Sequence, residues 1–158
     1  MAIDRSVQRV DVTALGLSEP VLLDQATPVR RVIERMRERR TGVALLTGDG
    51  DPPRLAGIFT ERDVLARVVG VEGVLDRPIS ELMTPDPHVM AENDPVERAV
   101  RIMNAEDVRH VPVQSADGRF TACVRHKDIV RYLVEHCAAH VLNLPPDPDQ
   151  VAATRSGG

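Results

Sequence analysis

The chain has 158 residues, a net charge of −4 at neutral pH and only 2% aromatic residues. That length fits one compact module or two small repeats sharing a core. The negative charge argues against a general polyanion binder, and three aromatic rings (Phe59, Phe120 and Tyr132) leave no platform on which single-stranded bases stack. Hydrophobic residues make up 42% of the chain, so a core of Val, Leu, Ile, Met and Ala is expected. Cys123 and Cys137 stand in no metal-like or redox spacing, which fits free thiols in a reducing, cytoplasmic setting. Met1 to Val10 is too polar for a signal peptide. No apolar run approaches the ~20 residues of a membrane-spanning helix.

In chain order, residues 1–14 read as a leader. Residues 15–75 and 76–140 then carry the same pattern twice. LGLSEPVLLDQATPVRRVIERM from Leu15 aligns without gaps to LMTPDPHVMAENDPVERAVRIM from Leu82. The matches include Pro20 with Pro87, Pro28 with Pro95, and Met36 with Met103. GIFTERDVLARVV from Gly57 then faces ACVRHKDIVRYLV from Ala122, so Thr60 meets Arg125 and Asp63 meets Asp128. Each copy predicts a short strand (21–23 or 88–90), then a helix (28–39 or 95–106) with apolar residues at helical spacing. Asp94 and Thr27 are the expected N-caps, each with a proline at the first helical position. Two strands joined by a polar turn follow (42–47 and 54–60; 109–114 and 119–124), and a last helix covers 61–69 or 126–138. The order is β-α-β-β-α, twice, in a mixed α/β (α+β) fold. Residues 141–158, rich in Pro, Asp and Gly, read as a disordered tail.

These residues resemble the cystathionine-β-synthase (CBS) domain in its tandem form, the Bateman module. The resemblance is carried by ELMTPDPHVM before the second copy, by RHVPV on its middle strand and by GIFTERDVL closing the first. It covers roughly residues 15–138. It implies two repeats packed about a pseudo-twofold axis, with two clefts that take adenosine ligands such as AMP, ADP, ATP or S-adenosylmethionine, NAD being a further possibility. It also implies a regulatory rather than catalytic role, a stand-alone member here, dimerisation of the module, and a regulated protein partner not identifiable from sequence.

Position by position, the resemblance gives one cleft to Thr60 and Asp63, with Pro87, His88 and Val108 around the base. It gives the other to Asp128, with Pro20, Val21, Thr41 and Gly42. The chemistry has a reading of its own. A hydroxyl and free N–H groups at a helix start suit a phosphate, and a carboxylate one turn on can accept ribose hydroxyls. Thr60 and Asp63 suit an ordinary helix cap equally well. The second cleft departs from the family pattern. Arg125 replaces the hydroxyl residue and Ala122 replaces the glycine seen at Gly57. Arg125 and Lys127 either serve phosphates directly, or Arg125 fills the site. Arg109 and His110 sit where some relatives hold phosphates, and two or three cations there favour di- or triphosphates.

Three other signals rank lower. His136 and His140 share a helix face but lack a third ligand, so no metal site is expected. RRVIERMRERR (30–40) alternates Arg with Glu34 and Glu38 as a salt-bridged solvent face does, so nucleic-acid binding is the weaker reading. A structural dimerisation module with degenerate clefts is the main alternative to ligand sensing. No nucleophile, base and orienter arrangement supports an enzyme.

Overall fold

The computed structural model describes residues 10–142, with side chains through residue 136. The expected leader through residue 9 and the expected tail from residue 143 lie outside the described residues, as do the side chains of Cys137 and His140. Two small sheets carry the fold. The first has four strands in the order β1 (Val21–Asp24), β2 (Val43–Thr47), β3 (Leu55–Thr60), β4 (Thr84–Pro85). The second has three, β5 (Met90–Ala91), β6 (His110–Gln114) and β7 (Phe120–Arg125). In each sheet the first pairing is parallel and the second antiparallel, with a register shift near the end of the middle strand. Helix α1 (Val29–Glu38) follows β1 and α3 (Val96–Ala105) follows β5. Helix α2 (Glu61–Asp63) follows β3 and α4 (His126–Leu142) follows β7. The repeated β-α-β-β-α order is therefore the observed one. Two corrections concern the last helices. After one α-turn, Val64–Val68 widens into a π-helical turn that ends with Val69 N–H bonded to the Val64 carbonyl. Helix α4 runs through Leu142, past the expected start of the tail.

The expected proline-led helix starts are also corrected. Pro28 and Pro95 take extended backbone (ψ 142° and 148°) and stand at the N-cap position, with no side-chain cap. Asp94 instead accepts from Ala91 N at 2.7 Å and from Arg98 at 2.9 Å, closing the turn that leads into α3. On α1 the expected ion pairs form, Arg31 with Glu34 at 3.2 Å and Arg35 with Glu38 at 2.8 Å.

The two halves exchange their entry segments. Residues Val12–Leu15 form a 3-10 turn whose Val12 and Leu15 are buried with Met90, Val96, Val111 and Val124, in the core of the second half. Val74, Ile79 and Leu82 are buried with Val21, Val29, Ala44 and Phe59, in the core of the first. The backbone bonds repeat the exchange. Val96 N–H reaches the Val10 carbonyl at 2.8 Å and Val12 N–H reaches Asp94 at 3.0 Å. Their counterparts are Val29 N–H to Arg77 at 3.0 Å and Ile79 N–H to Thr27 at 2.9 Å. Val10 to Ala14, read from sequence as part of a leader, thus belongs to the folded body. A third cluster of Val43, Leu45, Ile58, Phe120 and Cys123 joins the sheets face to face.

Leu15 is 3% exposed in a core that its own repeat does not own. Leu15→Ala should cost about 2–5 kcal/mol, the range for buried Leu→Ala changes. Urea unfolding should show the midpoint falling in one cooperative transition, because both halves share the exchanged segments.

Candidate functional site

The site begins at the end of β3, where an extended strand must become a helix within one residue. Thr60 has φ −128° and ψ 167°, and its hydroxyl accepts from Asp63 N–H while Asp63 Oδ2 accepts from Thr60 N–H at 2.8 Å. This is a reciprocal capping box. The Thr60 hydroxyl also lies 2.7 Å from Asp63 Oδ2. The cap reading of these two residues is therefore observed, and it leaves the Asp63 side chain 13% exposed at the mouth of a cavity.

That cavity has a volume of about 460 Å³ and is walled by both halves. All seven residues assigned from sequence to the first cleft and its phosphate groove line it: Thr60, Asp63, Pro87, His88, Val108, Arg109 and His110. Gly42, assigned to the second cleft, lines it too. The first half contributes the β3–α2 corner, the connecting segment contributes residues 84–88, and the second half contributes residues 106–110 between α3 and β6. Asp86 and Asp107 hold positive φ (47° and 50°), which turns the backbone sharply at both loops. His88 Nε2 lies 3.5 Å from Glu106 Oε1 across the rim.

The Gly57 and Ala122 difference has a structural meaning. Gly57 pairs with Pro85 in the β3–β4 ladder. A Cβ at Gly57 would meet the Thr84 carbonyl oxygen at 2.8 Å and Met83 Sδ at 2.5 Å. The glycine lets β4 approach, and β4 leads straight into the loop that carries Pro87 and His88. In the second sheet Ala122 stands at this position and the sheet has three strands.

The residues assigned to the second cleft lie in different surroundings from those of the first. Val21 is buried in the first core, and Thr41 lines a separate depression with Ile33, Met36 and Val64. Asp128 is fully buried. Its carboxylate takes Arg125 Nε at 2.7 Å on one oxygen and Arg125 Nη2 at 2.8 Å on the other, with Arg125 N–H at 3.1 Å. Arg125 is thus engaged with Asp128, and its side chain is largely buried.

His110 corrects the charge expected in the groove. Burial, together with the Arg125 guanidinium facing it across the β6–β7 ladder, pushes its pKa down from 6.5 to about 4, against a smaller opposing pull from Asp128. The ring is neutral at physiological pH. Arg62 and Arg109 are then the cations of the lining, against Glu61, Asp63, Asp86, Glu106 and Asp107. Glu61, Asp86, Glu106 and Asp107 were not singled out as lining from sequence, although Glu61 sits inside the Thr60–Asp63 motif. The two positive-φ turns that bring in Asp86 and Asp107 leave no mark in hydrophobic periodicity. Cys123 sits in the inter-sheet core, where burial raises its thiol pKa to about 12 and keeps it unreactive. Among the described residues, no group of three or more His, Cys, Asp or Glu is arranged to hold a metal ion. No described helix is long and apolar enough to cross a membrane.

The geometry agrees with the comparisons. The family model for the CBS domain matches residues 12–70 and 79–135. The Arabidopsis thaliana CBS domain-containing protein CBSCBSPB1 is 32% identical over 112 residues, covering 70% of this chain but 19% of that longer protein. Hypoxic response protein 1 of Mycobacterium tuberculosis is 27% identical over 156 residues, covering 97% of this chain and all of that protein. Among solved structures, the CBS domain protein PAE2072 from Pyrobaculum aerophilum complexed with AMP superimposes with a TM-score of 0.71 at 26% identity, over 82% of this chain and 99% of that one. Matched in both halves and sharing the fold of a solved CBS protein, this chain belongs to the CBS domain family, as a tandem pair.

Proposed function

We propose that this chain is a regulatory binder of an adenine nucleotide and takes it in the cleft closed by Thr60 and Asp63. The observation that carries the reading is the convergence of both halves on one open carboxylate: the β3–α2 corner, residues 84–88 and residues 106–110 share one 460 Å³ cavity. The similar CBS protein in complex with AMP supports the ligand class. Asp63 Oδ1 faces Arg67 at 3.6 Å, beyond hydrogen-bond reach, which leaves an acceptor for ribose hydroxyls. Thr60, Arg62 and Arg109 line the same cavity, and the two arginines are the groups it offers to a phosphate. Pro87, Val108 and Ile58 supply apolar surface for a base. With His110 neutral and carboxylates outnumbering arginines, a single phosphate is favoured over three. ADP, ATP, S-adenosylmethionine and NAD are the competing ligands to compare with AMP. The ligand signals by binding one shape or assembly of the protein more tightly than another.

Self-association completes the reading. Leu65 (72% exposed) and Val69 (64%) on the first half align with Val130 (45%) and Val134 (63%) on the second. These exposed apolar side chains at paired repeat positions are the surfaces we assign to contact with a second copy in a homodimer. The partner it would regulate is a further protein.

Three measurements follow. Calorimetric titration with AMP should show saturable binding, weakened about 10- to 100-fold in Asp63→Asn, the loss of a charged hydrogen-bond acceptor. Absence of heat with every adenine ligand named above would sink the reading. Sedimentation should show a dimer whose dissociation constant rises about tenfold or more in Leu65→Asp, which buries a charge at the proposed contact. The third measurement concerns His110. Between about pH 6.5 and 4 the unfolded chain binds a proton that the folded chain refuses, so stability should fall as pH falls through that window. His110→Gln should flatten this part of the stability profile, read by urea unfolding at several pH values.

A further inference from the structure

We propose that Arg125 is a built-in occupant of the second cleft, so that the chain binds one adenine ligand rather than two. The proposal rests on the reading of the Asp63 cleft given above and adds the residue that sets the number of ligands.

The two repeats place the same carboxylate at the same corner. Asp63 Oδ2 accepts from the Thr60 amide at 2.8 Å, and Asp128 Oδ2 accepts from the Arg125 amide at 3.1 Å. The difference is the side chain at the cap position. In the first half it is a hydroxyl, which uses Oδ2 and leaves Oδ1 with nothing nearer than Arg67 at 3.6 Å among the described residues. In the second half it is a guanidinium, which uses both oxygens in a bidentate fork at 2.7 and 2.8 Å. Arg131 approaches the remaining edge of Oδ1 at 3.5 Å. The Asp128 side chain is 0% exposed and Arg125 only 17%. A ribose hydroxyl arriving there finds no acceptor and no opening.

Tethering makes the block effective. Arg125 is three residues from Asp128 and competes at an effective concentration of about millimolar or more, whatever the ligand concentration. The planar fork suits a carboxylate better than two separate hydroxyls do. Ala122 supports the closure from the strand side, because its first-half counterpart Gly57 is what admits β4 and the base loop.

The test is ligand stoichiometry by calorimetry with AMP on the whole chain. Wild type should bind one AMP per chain. Arg125→Thr, which copies the first corner, should bind two, the double variant Ala122→Gly/Arg125→Thr should bind the second more tightly, and Asp63→Asn/Arg125→Thr should retain the new site. Two AMP per wild-type chain would overturn the proposal, as would folded Arg125→Thr and double variants that stay at one. Binding of none by wild type but one by Arg125→Thr would sink the reading of the Asp63 cleft and support the plug. Because removing Arg125 leaves a buried carboxylate short of partners, a second measurement uses the unaltered chain. In an NMR titration with AMP, the amide resonances of Thr60 and Asp63 should move while the Arg125 Nε–H and Asp128 amide resonances stay fixed. Equal movement at both corners would overturn the proposal whether or not the variants fold.

Discussion

The exchange of entry segments is the constraint on which the rest of the structure depends. Neither half closes its core alone: the second needs Val12 and Leu15, and the first needs Ile79 and Leu82. Each buried side chain of this size contributes about 1.5–3 kcal/mol of apolar burial, so the exchange is comparable to the whole net stability of a small domain. The functional consequence is positional. Residue 82 is anchored in the first core, and the chain runs from it directly into β4 and the loop holding Pro87 and His88. The loop that faces Asp63 is thus held by the same packing that holds the halves together.

Arginines tie the carboxylate corners to these crossing segments. Arg67 pairs with Asp63 and donates to the Leu82 carbonyl, while Arg131 sits beside Asp128 and donates to the Leu15 carbonyl at 2.9 Å. Each corner is therefore wired to the segment that crosses beside it. In the first half that segment also lines the cleft, so one network reaches from Asp63 on α2 into the β4 loop. In the second half the equivalent segment is Val12–Leu15, and Asp128 above it is already neutralised by Arg125.

How much of this is legible in the sequence depends on the distance over which each cause acts. Elements set by local periodicity and turn residues emerge within a residue or two, as with α1, α3 and the β2–β3 and β6–β7 hairpins. The seven first-cleft residues emerge because the repeat and the family resemblance together fix their positions. The swapped segments do not. Val12 lies beside the first repeat in sequence, and only the second core shows where its side chain goes. The charge of His110 is equally hidden, since it depends on burial and on Arg125 across a strand ladder. The role of Gly57 appears only when β4 is found against it. The expected Thr27 and Asp94 caps fail for a local reason: extended backbone at Pro28 and Pro95 makes the prolines the N-caps and puts each helix start one residue later.

A duplicated fold gives a chain two chances at the same site, and the two corners show how one substitution separates them. A carboxylate at a strand-to-helix turn must satisfy its lone pairs. A threonine beside it satisfies the oxygen that faces the backbone and leaves the other to the cleft. An arginine beside it satisfies both and allows the carboxylate to be buried completely. The second arrangement gives a shielded ion pair, and removing one partner of such a pair typically costs 3–5 kcal/mol. The first arrangement forgoes that pairing and keeps an acceptor in contact with solvent. The corner that stays less completely paired within the protein is the one left able to pair with something else, and here that corner is Asp63.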